Sequence, residues 1–169
     1  MKIYKNFLPK KTFKEIQDFM LSPRMPWYYN DAVAIRSDRE FMFFHLFHHS
    51  YEVNTTSEIF EGIIDPIIKK LKITKDILIR AKANWYTNQH KHVKHEYHID
   101  QHKKHKVCLL SINTNNGYTE FENGTKFNSI ENQAIVFDGG TPHRSVTQTD
   151  QNMRVNINLN FEVKKRYSV

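Results

Sequence analysis

Two segments in the first half of the chain have the apolar spacing of amphipathic helices. Each starts with a T-x-x-E pattern typical of a helix capping box. In the first segment Thr12 and Glu15 form the box, and the apolar residues at helical spacing are Phe13, Ile16, Phe19 and Met20. In the second segment Thr55 and Glu58 form the box, and the apolar residues that follow are Ile59, Phe60, Ile63, Ile64, Ile67, Ile68 and Leu71. Pro66 lies inside the second stripe, where we expect a kink or a short break. The pattern predicts two helices, each with one face to bury.

From residue 77 onward the pattern is that of strands. Four segments are short apolar or loosely alternating runs, bounded by Asn, Gly or Asp (77–86, 106–113, 117–121 and 133–138). The fifth, 154–163, alternates strictly: Val155, Ile157, Leu159, Phe161 and Val163 are apolar, and Arg154, Asn156, Asn158, Asn160 and Glu162 are polar. Between the two helices, residues 25–31 predict an aromatic loop and residues 34–47 an extended segment.

The strict alternation of the last strand leaves two ways to orient it. In an ordinary sandwich, the polar face would meet water. Alternatively, the two amphipathic helices cover the apolar face, and the polar face lines the interior of a barrel. We favour the barrel, because the helices need an apolar surface to pack on and a polar cavity is useful for chemistry.

A chain of 169 residues and 20.2 kDa predicts a single domain over 1–169. We expect helical support over about 1–75 and a β core over about 76–163. Cys108, the single cysteine, excludes an internal disulfide and fits a reducing compartment. It lies in the apolar run 107–110, which favours a packed core thiol over a nucleophile.

The formal charge of +7 favours anionic partners. The lysines are scattered, so the positive field suits a small di-acid as well as a phosphate backbone, and nucleic-acid binding is the less favoured interpretation. The amino-terminal stretch has no apolar run of signal-peptide length, and the longest aromatic run, 41–47, is too short to span a bilayer. We therefore expect a cytoplasmic protein without a membrane partner.

Six of the ten histidines lie between residues 90 and 106. A metal-scavenging tract, a basic patch and a solvated surface segment are all compatible with that composition. On a strand, however, His98 and Asp100 would point the same way. His143 follows the strand 133–138 by a short turn, and two histidines with one carboxylate form the facial triad of non-haem Fe(II) oxygenases. Zinc would accept the same ligands.

Arg154 lies on the polar face of the last predicted strand. Inside a barrel an arginine is costly unless an anion meets it, and its planar guanidinium suits a carboxylate. The alternatives are pairing with an acidic side chain of the protein and exposure to solvent.

The order of short motifs between residues 83 and 161 resembles that of Fe(II)- and 2-oxoglutarate-dependent dioxygenases. The similarity is greatest to the prolyl-4-hydroxylase-like group, including small oxygenases of bacteria and phages. The motifs are ANWY (83–86), HID (98–100), LLSIN (109–113), GYTEF (117–121), AIVFD (134–138), PHRS (142–145) and RVNINLNF (154–161). Arginine at 154 and the histidine-rich segment depart from animal collagen-type prolyl hydroxylases, which weakens any inference that proline is the substrate.

The resemblance implies a double-stranded β-helix (a jelly-roll, cupin-like barrel) with the helices on the outer face of its major sheet. It implies Fe(II) bound by His98, Asp100 and His143, and 2-oxoglutarate bound by Arg154. Asn84 and Tyr86 share strand parity and are candidates for further contacts, although core packing accounts equally well for Tyr86. The expected reaction is hydroxylation of a peptide side chain or a small metabolite by O2, with release of succinate and CO2; ascorbate is a candidate reductant. Two alternatives stay open: a non-catalytic metal-binding cupin-like module, and a nucleic-acid-directed oxygenase of the same superfamily.

Overall fold

The computed structural model describes residues 1–34, 40–50 and 55–163, and for Thr55 the backbone only. Within these ranges it has two helices, α1 (Lys10–Met20) and α2 (Phe60–Leu71). The strands are β1 (Lys2–Tyr4), β2 (Tyr28–Asn30), β3 (Met42–His49), β4 (Thr55–Thr56), β5 (Leu78–Thr87), β6 (His105–Ser111), β7 (Tyr118–Phe121), β8 (Lys126–Asn128), β9 (Ala134–Asp138), β10 (His143–Val146) and β11 (Met153–Glu162). The five strands predicted in the second half correspond to β5, β6, β7, β9 and β11.

The strands form two antiparallel sheets that face each other. The large sheet has the order β1-β9-β6-β11-β5-β3-β2, with β4 paired to β3, and the small sheet has the order β10-β7-β8. Side chains from both sheets meet between them in an apolar cluster (Val107, Leu109, Phe121, Phe127, Ile135 and Phe137). This arrangement confirms the predicted jelly-roll barrel.

The orientation predicted for the last strand is confirmed. Its apolar residues belong to the main hydrophobic core, together with the buried faces of both helices (Val155, Ile157, Leu159 and Phe161 with Phe13, Ile16, Met20, Phe60, Ile63, Ile64, Ile67 and Ile68). Its polar residues are also buried (Arg154, Asn156, Asn158 and Asn160). The helices therefore cover the outer face of the large sheet, and the polar residues lie inside the barrel.

Neither predicted capping box forms. α1 begins at Lys10, directly after Pro9, so Thr12 is already inside the helix, and no side chain caps the helix start. α2 begins at Phe60 without a side-chain cap, and Thr55 instead pairs with β3. α2 also continues through Pro66 without a break. Proline at this position removes one intrahelical hydrogen bond, the one to the carbonyl of Gly62, and Gly62 is exposed, so water can replace the lost donor.

The first 75 residues supply strands as well as the two helices. β1 pairs with β9, and β3 pairs with β5, so the amino-terminal part extends the large sheet at both edges. The predicted aromatic loop at 25–31 contains edge strand β2, which pairs with β3. The extended segment predicted at 34–47 is seen as β3, while its residues 35–39 lie outside the described ranges.

Candidate active site

The structure brings His98, Asp100 and His143 together. One ligand atom from each lies within 4.8 Å of the other two. His143 begins β10, and its backbone exchanges both hydrogen bonds with His98, at 3.0 and 3.1 Å. Directly opposed residues of an antiparallel pair present their side chains on the same face, which places the two imidazoles side by side, 4.9 Å between ring centroids.

Asp100 reaches the cluster from an irregular segment rather than from the predicted strand. His98 forms only an isolated bridge to His143, and Asp100 lies in a bend. The predicted i, i+2 geometry therefore does not position the carboxylate. Partners from the large sheet hold it instead.

Both histidines have a free ring nitrogen for a metal. The Nδ1–H of His98 donates to the carbonyl of Glu96 at 3.2 Å, and that of His143 donates to the carbonyl of Thr141 at 3.1 Å. A carbonyl can only accept, so these bonds put the proton on Nδ1 and leave the lone pair on Nε2. Burial also lowers the pKa of His143, against the opposing effect of Asp100, which favours the neutral form that binds metal.

Asp100 is held as a carboxylate by three donors. Arg80 Nη2 donates to Oδ1 at 2.8 Å, and the side-chain amides of Asn158 and Asn160 donate to Oδ2 at 3.0 and 2.9 Å. Burial by itself would raise the pKa of Asp100, but Arg80, His143 and the two amides outweigh it and hold the pKa well below its usual range. A charged carboxylate beside two imidazoles is a donor set that fits a divalent metal.

Arg154 is 2% exposed and has only neutral partners among the described residues. Its Nε donates to Ser129 Oγ at 2.8 Å, its Nη2 donates to Thr119 Oγ1 at 3.0 Å, and its Nη1 is buried with no hydrogen bond. Its guanidinium carbon lies 5.0 Å from the centre of the Tyr86 ring. Of the two alternatives for this arginine, solvent exposure is excluded, and no acid within the described ranges pairs with it.

Gly117 makes room for this arginine. A Cβ at position 117 would come within 2.8 Å of Arg154 Cδ. The glycine of the GYTEF motif is therefore explained by close packing against Arg154, a reason that the motif alone does not show.

A cavity of about 250 Å³ lies beside the three candidate ligands. The predicted contact residues Asn84 and Tyr86 both line it, from the inner face of β5. Asn84 donates to Asn156 Oδ1 at 3.0 Å, and Tyr86 stacks on His95. Arg154 lies directly behind Tyr86 and Thr119, which are part of the cavity wall. The binding roles of these residues stay predictions.

Two residues of the wall, Arg80 and Lys82, were missed in the sequence. Both lie on β5 at the same parity as Asn84 and Tyr86, so they face the same cavity. Their alternation with outward-facing residues could have predicted that they face the cavity. The prediction was not made because two neighbouring cations rarely lie on the inward face of a strand.

The histidines around the predicted ligands are not all rim residues. His95 is buried and contacts Ser145 Oγ through Nδ1 at 2.7 Å. His105 is 1% exposed, and its ring packs on Gly139, where a Cβ would lie 2.1 Å from His105 Nε2. The sequence predicts loop residues at the cavity rim for five histidines (His90, His92, His95, His102 and His105). That prediction is wrong for His95 and His105, which are buried. Because Arg144 alternates with His143, the sequence predicts that it points away from the metal ligands. In the structure its guanidinium donates to Glu120.

Similar solved structures were found although the sequences are distant. A prolyl hydroxylase from Trichoplax adhaerens, solved with a peptide of hypoxia inducible factor, superposes with a TM-score of 0.67 at 15% identity, over 95% of this chain and 82% of that one. A prolyl-4-hydroxylase from Pseudomonas putida gives 0.58 at 11% identity, over 96% and 92%. An alpha-ketoglutarate-dependent non-heme epimerase of nogalamycin biosynthesis gives 0.62 at 9% identity, over 95% and 76%.

This chain has the 2OG-Fe(II) oxygenase fold. The likeness covers nearly the whole chain, and it includes enzymes described as hydroxylases and as an epimerase, so the fold alone does not decide the reaction. No protein-family model and no curated protein sequence matches this chain. Among the described residues, neither helix has the length and apolar character needed to cross a bilayer.

Proposed function

We propose that this protein is an Fe(II)- and 2-oxoglutarate-dependent dioxygenase. The observation that carries the proposal is the cluster of His98, Asp100 and His143, whose ligand atoms lie within 4.8 Å of one another beside a polar cavity. Two imidazoles and one carboxylate form the facial set that leaves positions open on Fe(II). The oxygenase-type jelly-roll barrel supports the same assignment.

Each group in the site then has a defined task. His98 and His143 bind the metal through Nε2, and their Nδ1–H bonds to backbone carbonyls fix the ring orientations. Asp100 supplies the anionic ligand, and Arg80 with the two asparagine amides keeps it charged and oriented. When bound, Fe(II) and 2-oxoglutarate supply the oxidation of a substrate C–H bond by O2, with release of succinate and CO2.

Arg154 is the proposed partner of the distal carboxylate of 2-oxoglutarate. Its buried Nη1 finds no acceptor among the described residues, and a buried donor left unpaired is costly. A carboxylate there would satisfy it, and the neutral partners Ser129 and Thr119 would hold the guanidinium in place. Asn84 and Tyr86, on the same side of the cavity, are the proposed further contacts. For the primary substrate, a peptide side chain or a small metabolite is the proposed class.

The test is anaerobic addition of Fe(II) and 2-oxoglutarate to the purified protein, followed by visible absorption. A weak charge-transfer band is expected, and it should be absent from His98→Ala. The matched control is His90→Asn, which changes an exposed histidine whose positive φ of 58° asparagine tolerates. Metal binding without the band or any 2-oxoglutarate turnover would instead indicate a non-catalytic metal-binding module.

A further inference from the structure

Lys82 lies where two cavities meet. It lines the cavity of the proposed metal site, and it also lines a second cavity of about 430 Å³ that shares Arg80 and Asp100 with the first. The second cavity extends to His49 and His102. A molecule in the second cavity would therefore contact Lys82 beside Asp100, one of the proposed metal ligands.

Lys82 has no acidic partner. Within residues 1–34, 40–50 and 55–163, no carboxylate lies within 4.0 Å of its Nζ. Its cross-strand neighbours are Leu46 on β3 and Asn158 on β11, both uncharged. Its Nζ lies 5.3 Å from the centre of the Phe44 ring. The ammonium is thus half-buried with an aromatic face for support but no counterion.

The charges around Lys82 leave an excess of positive charge. Asp100 is the only acid among the described residues that line either cavity. Its oxygens already accept from Arg80 and two asparagine amides, so it does not neutralise a second cation. Burial, reinforced by Arg80, lowers the pKa of Lys82 to about 8 despite the opposing effect of Asp100, which reflects an ammonium short of compensating charge.

Arg80 adds a second donor near the same place. Its Nη2 is committed to Asp100, but its Nε is buried and makes no hydrogen bond with the described part of the chain. A free ammonium and an unpaired guanidinium N–H on neighbouring inward positions of one strand form a binding site for an anion.

We propose that the primary substrate carries an anionic group, a carboxylate or a phosphate, that binds Lys82 and Arg80 where the two cavities meet. This inference rests on the proposed function, because it assigns the substrate side of that same metal site. The proposal assigns separate sites in the barrel to the co-substrate and to the anionic group of the substrate. The co-substrate carboxylate goes to Arg154 behind Tyr86, and the substrate anion goes to Lys82 on the opposite side of Asn84.

The first test measures anion binding at Lys82 directly, on the metal-free full-length protein. Lysines are acetylated with acetic anhydride at pH 8, and peptide mass spectrometry follows the rates at Lys82 and at Lys106, a half-exposed lysine paired with Asp138. Sodium sulfate represents the phosphate class and sodium acetate the carboxylate class, each against sodium chloride of equal ionic strength. At an anion concentration about ten times its Kd, one of the two anions should slow labelling of Lys82 by about tenfold, because the occupied lysine is protected, and leave Lys106 unchanged.

The response identifies the class of anion. Slowing by sulfate alone indicates a phosphate, and slowing by acetate alone or by both indicates a carboxylate-sized anion. Equal rates in all three salts, or equal slowing of both lysines, would overturn the inference. Because no metal is present, this result does not depend on whether iron and 2-oxoglutarate bind.

The second test separates this site from that of the co-substrate. Lys82→Met should keep the band with Fe(II) and 2-oxoglutarate. Lys82→Arg should keep both the band and the anion site. The anion site is read as the extra stabilisation on heating, relative to Lys82→Met, by the anion that slows labelling of the wild-type protein, because sulfate also stabilises folded proteins in general. If Lys82→Met loses 2-oxoglutarate affinity, Lys82 belongs to the co-substrate and the inference is wrong, while the proposed function stands. If the wild-type protein shows no band, the proposed function fails whatever the labelling shows.

Discussion

The two faces of strands β5 and β11 carry opposite chemistry, although their residues alternate along the same backbone. The outer positions are small or aliphatic and pack beneath the helices (Ala81, Ala83, Val155, Ile157 and Leu159). The inner positions are polar or charged and lie inside the barrel (Arg80, Lys82, Asn84, Arg154, Asn156 and Asn158). Successive side chains of a strand point to opposite faces, so one pair of strands supplies both the core and the proposed site.

The difference between these faces lies in how strictly each position is constrained. Aliphatic packing depends on volume and burial, and several residues of similar size satisfy it. On the inner face, individual polar atoms have individual partners, such as Asn84 with Asn156 and Asn158 with Asp100. We therefore expect substitutions on the outer face to reduce stability and those on the inner face to change binding, even at adjacent residues.

The largest effect is expected at Arg154. Arg154→Met should weaken 2-oxoglutarate binding by about 30-fold or more, because truncating one partner of a buried charged pair costs roughly 2–5 kcal/mol. Iron binding should be spared, since none of the three candidate ligands contacts this arginine. The measurement is an anaerobic titration of 2-oxoglutarate into the Fe(II) protein.

Arg144→Met provides the matched control for that experiment. This second arginine points away from the site and bonds Glu120, so its loss should leave the titration unchanged. Loss of iron from Arg154→Met, with 2-oxoglutarate affinity intact, would contradict the assignment of Arg154.

The next largest effects are expected on stability and on metal binding, at adjacent residues on the two faces of β11. Leu159→Ala removes a fully buried core side chain and should lower the free energy of unfolding by about 2–5 kcal/mol. Asn158→Ala should cost only about 1 kcal/mol but weaken metal binding by roughly 10–100-fold, because it removes a donor to Asp100. Urea unfolding and metal titration of both variants give the comparison. Equal metal affinities in the two variants would show that the faces are not functionally distinct.

Strand periodicity made the inner and outer faces predictable. The alternation in residues 154–163 left two orientations open, and two helices in need of a surface favoured the one with Asn156 and Asn158 inside the barrel, which the structure confirms. The resemblance then indicated the residues that meet there. His98, Asp100 and His143 are distant along the chain, and no local pattern shows that the backbones of His98 and His143 pair.

Local signals were less reliable where tertiary contacts decide the structure. The T-x-x-E patterns did not set the helix starts, since Thr55 pairs with β3 instead. The hydrogen-bond partners of Asp100 could not be predicted either, because Arg80 and Asn160 come from strands whose register the sequence does not specify. His105 was predicted to lie in a solvated loop, yet it is buried, because Gly139 has no side chain and its backbone packs directly on the His105 ring.

The smallest effect concerns Cys108, on the outer face of β6. It is fully buried, which confirms a core thiol, and burial raises its pKa to about 12. The folded protein therefore keeps this proton at a pH where the unfolded chain loses it. The stability that the neutral thiol contributes is complete below the unfolded pKa of about 9 and declines as the pH rises toward 12.

Between pH 8 and pH 10 the linked loss of stability is about 1.4 kcal/mol. Lysines and tyrosines titrate over the same range, so the comparison has to be made with Cys108→Ala, in which their contribution is retained and that of the thiol is gone. Urea unfolding at both pH values gives the free energy of unfolding. Between pH 8 and pH 10 this free energy should fall by about 1.4 kcal/mol less in Cys108→Ala than in the wild-type protein. A decline of the same size in both proteins would mean that the thiol ionises inside the fold, which a site sealed beneath the helices does not allow.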